Sequence, residues 1–146
     1  MDLQTSQFGR ITIEADDILA FPHGLIGFED LHHWVLLADS ANESIAWLQS
    51  VDDSDVAMPV VSPRLFKPEY RVCSSREHLT TLGLDEYHRA FVLVIVAKHG
   101  VSLTANLKAP VIINLDRGVG RQVVTTDDQP LQLELANASA PLRKSA

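Results

Sequence analysis

"AFVLVIVAKHGVSLTANLKAPVIIN", Ala90 to Asn114, contains three different kinds of strand in twenty-five residues. "AFVLVIVA" is apolar at every position, which suits a central strand covered on both faces. "KHG" then permits a tight reversal. "SLTANLK" alternates instead, so that Leu103, Ala105 and Leu107 point one way and Ser102, Thr104, Asn106 and Lys108 the other. One row belongs to a core and the other is expected to face outward, to water or a partner. Pro110 has no N–H for a ladder and ends regular pairing there, and "VIIN" resumes as an unbroken apolar run. The piece holds no metal-ligand pair, no carboxylate pair and no nucleophile motif, which is a poor start for an enzyme.

The segments around it read the same way. "GRITIEA" alternates Ile11 and Ile13 with polar residues, and "WVLLAD", "IAWLQSV" and "VAMPVV" are short β-prone runs separated by Asp, Ser, Asn and Pro. "DRGVG" parts "VIINL" from "RQVVTT", and "LQLEL" alternates once more. One helix is expected near Ser75 to Leu82, where Ser74 and Glu77 have capping-box spacing and Gly83 supplies a stop. Strands with turns every eight to twelve residues predict an all-β, mostly antiparallel fold, a small barrel or pseudo-barrel with one or two short helices. One domain over residues 1–135 is expected, followed by a disordered tail over 136–146, "ANASAPLRKSA".

The totals narrow the function. A chain of 146 residues with 46% hydrophobic content builds one proper core. Its longest apolar run is far shorter than the ~18 residues of a membrane span, and "MDLQTSQFGR" lacks a signal pattern, so a cytoplasmic protein without membrane contact is expected. Cys73 is the single cysteine, consistent with a reducing compartment. A net charge of -7 opposes direct contact with nucleic acid and favours a basic protein partner.

The remaining constellations are weak as chemistry. His32 and His33 are adjacent, so their side chains diverge on helix or strand, and no histidine or cysteine lies at ligand spacing from them. They read as surface or turn residues, with no metal and no cofactor expected. A hydrolase or isomerase using Cys73 with His78 or His88 is the rival reading, although a free cysteine is more often a small buried hydrophobe. "DDSD", Asp52 to Asp55, reads equally as a solvated turn or as an acidic run that holds a cation or pairs with a basic surface, and "GVG", Gly118 to Gly120, reads as a loop between strands. "FPHGLIGF", Phe21 to Phe28, either caps the core, the favoured reading, or leaves an exposed ridge for an interface. "PRLFKPEY", Pro63 to Tyr70, poses the same choice for Phe66 and Tyr70.

In their order along the chain, "FGRITI", "DILAFPHGLIGFED", "WVLL", "LQSVDD", "PRLFKPEY", "LTANLKAPVIIN" and "RQVV" resemble the flagellar assembly factor family FliW, across nearly all of residues 5 to 126. Pro59 in "VAMPVV" departs from that resemblance where the family continues a strand, and the last ten or so residues look private to this chain. The resemblance implies a small barrel-like protein without enzymatic activity. It also implies two partners: the translational regulator CsrA, whose repression of flagellin mRNA it antagonises, and flagellin. From the strand alternation and the aromatics themselves, Phe66, Tyr70, Thr104, Asn106 and Lys108 are the expected protein-binding residues, the other reading being that Asn106 satisfies a turn and Lys108 protects a strand edge, and the expected state is a monomer.

Overall fold

The computed structural model describes residues 1–73, 76–84 and 90–135. Among the described residues, eleven strands and one short α-helix follow in chain order. They are β1 (Asp2–Thr5), β2 (Gly9–Thr12), β3 (Ile18–Ala20), β4 (His33–Ala38), β5 (Ala46–Ser50), β6 (Ala57–Val61), α1 (Arg76–Thr81), β7 (Phe91–His99), β8 (Ser102–Ala105), β9 (Val111–Asn114), β10 (Val119–Gln122) and β11 (Leu133–Glu134). The strands from β3 to β7 are joined in sequence, β3 also pairs with β10, β10 with β9, and β9 returns to β7. That closes a seven-stranded barrel. Its pairs are antiparallel except β3 with β10, which meet in parallel at Ala20 and Val119. The expected all-β barrel is what forms.

β7 explains its own composition. Leu93 turns into the barrel, among Leu19, Phe21, Trp34, Leu48, Val60, Val111 and Ile113. Val92, Val94 and Val96 turn out of it and meet a second core, made with Tyr70, Leu82, Leu107, Ile112 and Leu135. From Val92 to Val96 neither face of β7 is free to be polar. The same holds for β9, where Val111 and Ile113 fill the barrel while Ile112 joins the outer core. Each fully buried aliphatic side chain contributes roughly 1.5–3 kcal/mol.

The segment between β6 and β7 covers that outer core. Tyr70 is 2% exposed, and its hydroxyl donates to Leu107 O at 2.7 Å. Burial, followed by the charge of Asp127 and then that of Cys73, raises the Tyr70 phenol above its ordinary range. α1 stops with Gly83 N–H bonded to Thr80 O and Leu84 N–H to Leu79 O, a Schellman closure at the glycine expected to end it. Asn114 Nδ2 donates to Leu82 O at 2.9 Å and tethers this cover to β9. The capping residue Ser74, the candidate base His88 and the tail from residue 136 lie outside the described residues. No described helix is long and apolar enough to cross a membrane.

Two further elements finish the barrel. The β1–β2 hairpin docks on its flank, where Phe8 meets Trp47 of β5 edge to face at 5.5 Å. On β10, Gly120 lies against the ring of Phe21, and a Cβ there would overlap the ring at Phe21 Cζ. "GVG" is thus partly strand, and its second glycine admits a core aromatic.

Candidate protein-binding groove

The barrel opens on one side at Pro59. Ser50 N–H donates to Val56 O at 2.9 Å, so Val56, Met58 and Val60 aim their backbone groups at β5 while Ala57, Pro59 and Val61 aim theirs at β7. Val61 pairs with Val94 and Val60 with Ile95. Pro59 stands next, opposite Val96, and has no N–H to give, so the ladder stops. Beyond it β7 leaves β6 and continues alone with β8, pairing Val96 through His99 with Ala105 through Ser102.

A groove of about 390 Å³ fills the resulting gap. Its floor is the sheet face that carries Met58, Ile95, Ala97 and Thr104. One wall is the loop after β3, with Ile26 and Phe28, and the other carries Leu131 and Gln132. Ile26 is 57% and Leu131 63% exposed, and with Phe28 they gather apolar surface around one concavity.

The loop after β3 has a double role. Phe21 and Leu25 are fully buried and cap the barrel, as favoured above. Ile26 and Phe28 form the exposed ridge that was the other reading. A tight turn separates the two roles: Phe28 N–H donates to Leu25 O at 2.7 Å, and Gly27 occupies its third position at φ 90°, as a type II turn requires. Ile26 is therefore held at the tip. Gln122 secures it, accepting Ile26 N–H on Oε1 at 2.8 Å while Nε2 donates to Ala109 O at 2.9 Å.

The far end of the same loop is pinned by Asp52. Its Oδ2 accepts the backbone N–H groups of His32 at 2.8 Å and His33 at 3.0 Å, and His33 Nδ1 approaches Oδ1 at 3.2 Å. Burial pushes Asp52 up, but those hydrogen bonds and the nearby imidazole outweigh it and leave its pKa below the ordinary value. "DDSD" forms a turn, one of its two readings, with Ser50 Oγ accepting Asp52 and Asp53 N–H. His32 and His33 are surface residues at its side.

The five nominated residues separate. Thr104 and Asn106 line the groove, whereas Phe66 and Tyr70 pack into the outer core on the opposite sheet face. The expected outward row Thr104–Asn106–Lys108 is corrected in two respects. Thr104 is only 6% exposed, because the face opposite Leu103 and Ala105 continues the barrel's inner surface. The row also ends early, since β8 stops at Ala105 and Asn106 Oδ1 accepts the N–H groups of Lys108 and Ala109, both at 3.1 Å, to close a turn. Lys108 Nζ then reaches Asp127 O at 2.5 Å. Tyr70 likewise is no surface anchor, because its ring is enclosed by the cover.

Cys73 is exposed rather than a buried hydrophobe, and it does not line the groove. Its carbonyl accepts Thr126 N–H at 2.6 Å and Thr126 Oγ1–H at 3.2 Å, which fastens the cover to the loop between β10 and β11. The groove residues that sequence reasoning did not single out are Met58, Ile95, Ala97, Gln122, Leu131 and Gln132. Pro59 was the available signal, a proline inside an otherwise regular strand.

The FliW family model matches residues 2–135. The chain belongs to the FliW family. It is 35% identical to the flagellar assembly factor FliW of Thermoanaerobacter pseudethanolicus, over 94% of this chain and 97% of that one. It is 38% identical to FliW of Bdellovibrio bacteriovorus, over 88% and 74% of the two chains. A crystal structure of the flagellar assembly factor FliW superposes with a TM-score of 0.83 at 27% identity, covering 92% of this chain and 96% of the other. FliW membership and the barrel agree with one another over the whole described chain.

Proposed function

We propose that this FliW-family chain serves flagellum assembly as a cytoplasmic partner switch. It binds a CsrA-type translational regulator, relieves its repression of flagellin mRNA, and also binds flagellin. The observation that carries a protein-binding role is the groove: exposed Ile26, Phe28 and Leu131 stand around an apolar floor on an otherwise well-packed barrel. Exposed apolar side chains gathered around one concavity, rather than scattered singly, mark sites where a partner docks. The partners come from the family resemblance. The net charge of -7 argues against RNA contact, because phosphates are attracted by Lys and Arg and repelled here.

The test is a titration of purified protein into a CsrA–RNA complex, with and without flagellin. Release of RNA that flagellin prevents is expected. Ile26→Asp should abolish release with its melting temperature unchanged, and Cys73→Ser should release RNA like the parent. A stable ternary complex with unweakened RNA binding, or direct binding of this chain to the RNA, overturns the proposal.

A further inference from the structure

The groove's surroundings also specify what enters it. Cross-strand partners share a face, so the pairing of Ala97 with Thr104 and of Thr104 with Glu134 makes one row across the sheet, ending in an exposed carboxylate. Glu29 stands at the opposite wall, where its Oε2 accepts Gly27 N–H at 2.9 Å, so its charge is held beside the Ile26 turn. The groove's own polar lining is Thr104 and the amides of Asn106, Gln122 and Gln132, and among the described residues no Lys or Arg lines it. The wall bearing Ile26 and Phe28 belongs to the stretch Met1–Pro63, which has eleven acidic side chains and a single basic one, Arg10.

We infer that the groove takes a partner segment carrying an aliphatic anchor flanked by lysine or arginine, and that it turns acidic segments away. The inference rests on the groove being the docking site proposed above and adds the chemistry of the occupant. A cavity of about 390 Å³ is at the small end of the ~300–1,000 Å³ of ligand sites, which suits an anchor from a segment rather than a whole domain face. The apolar floor supplies the attraction and the carboxylates at either end set its selectivity, since like charges brought together oppose docking and opposite ones guide it.

The experiment records backbone amide shifts of the isotopically labelled full chain with three capped hexapeptides. The first is Lys-Arg-Leu-Ile-Arg-Lys, the second Glu-Asp-Leu-Ile-Asp-Glu, and the third Ser-Asn-Leu-Ile-Asn-Ser. The first should shift Ile26, Ile95, Ala97 and Thr104 and bind at least tenfold more tightly than the second, with the third between. A Glu29→Gln, Glu134→Gln double variant keeps the Gly27 contact through the amide oxygen. It should weaken the first peptide about fivefold, roughly 1 kcal/mol, and leave the third unchanged. Equal binding of all three overturns the charge selectivity while leaving the groove a docking site. Failure of the first peptide to shift those amides, or shifts centred on the exposed Phe91 and Leu115 instead, overturns the inference. The Ile26→Asp titration against CsrA decides separately whether the groove is used at all.

Discussion

Gln122 ties Ile26 to the barrel: a strand side chain in β10 holds the backbone of a residue ninety-six positions earlier, at 2.8 Å, and anchors itself on Ala109 O with its other amide atom. Gln122→Ala removes both bonds and leaves Ile26 on a turn with fewer restraints. The expected stability loss is about 1–2 kcal/mol, for two partly exposed hydrogen bonds. The effect on partner binding should be larger in proportion, with roughly tenfold weaker affinity, because the exposed anchor must then be ordered on docking. Calorimetric titration beside thermal melting separates the two effects. A variant that loses stability but binds CsrA and flagellin normally would remove Ile26 from the interface.

Gly120→Ala tests the packing of the barrel itself. A methyl group there runs into the Phe21 ring, and the ring is fully buried with Leu19, Trp34 and Ile113 around it. Overpacking of this kind costs typically about 1–3 kcal/mol. A lower denaturant midpoint with an unchanged slope is expected. Phe21 also begins the groove loop, so the variant should bind partners more weakly than its residual stability alone would imply.

The strand pattern around β7 was legible because burial on both faces leaves no other composition open to it. Which cover lies on which face was not. The outer core depends on Tyr70 and Leu82 returning over β7 and β9 from a segment with little periodicity of its own. Barrel closure rests on the parallel meeting of Ala20 and Val119, residues far apart in sequence with no local mark. The alternation in "SLTANL" assigned Ala105 and Leu107 to a core and Thr104 to the opposite face. It equated polar with solvent-facing, however, and Thr104 lies on a second buried surface. Exposed Ile26 and buried Leu25 are adjacent and equally apolar, so only the turn geometry at Gly27 tells them apart.

Asp52 gives the groove loop a pH dependence. Its carboxyl pKa is lowered in the folded chain, where it accepts the N–H groups of His32 and His33, so it binds its proton less readily folded than unfolded. Its stabilising contribution is therefore complete above the ordinary value of 3.8 and is lost as pH falls through the lower folded value. The carboxylate is partly solvent-exposed, so screening keeps the contribution small. Asp52→Ala should lower the melting temperature near pH 7 and match the parent in strong acid. A gap between the two that stayed constant from about pH 7 to about pH 2 would show that the carboxylate charge does nothing there.

Pro59→Ala asks whether the missing N–H keeps the groove open. Alanine restores a donor that faces β7 opposite Val96, where the ladder now ends after Val60 and Ile95. One added hydrogen bond contributes about 1 kcal/mol, while losing proline's restriction of the unfolded chain costs about 0.4–1 kcal/mol. The two nearly cancel, so overall stability should change little and does not decide the matter. The decisive readings are local. Pairing should advance toward Met58 and Ala97, the amide that the substitution introduces should be protected from hydrogen exchange, and the floor between those two side chains should narrow. Partner affinity should then fall severalfold with the melting temperature nearly unchanged. A rapidly exchanging amide with parental affinity would mean that the divergence of β7 is imposed by its pairing with β8, and that Pro59 only accommodates it.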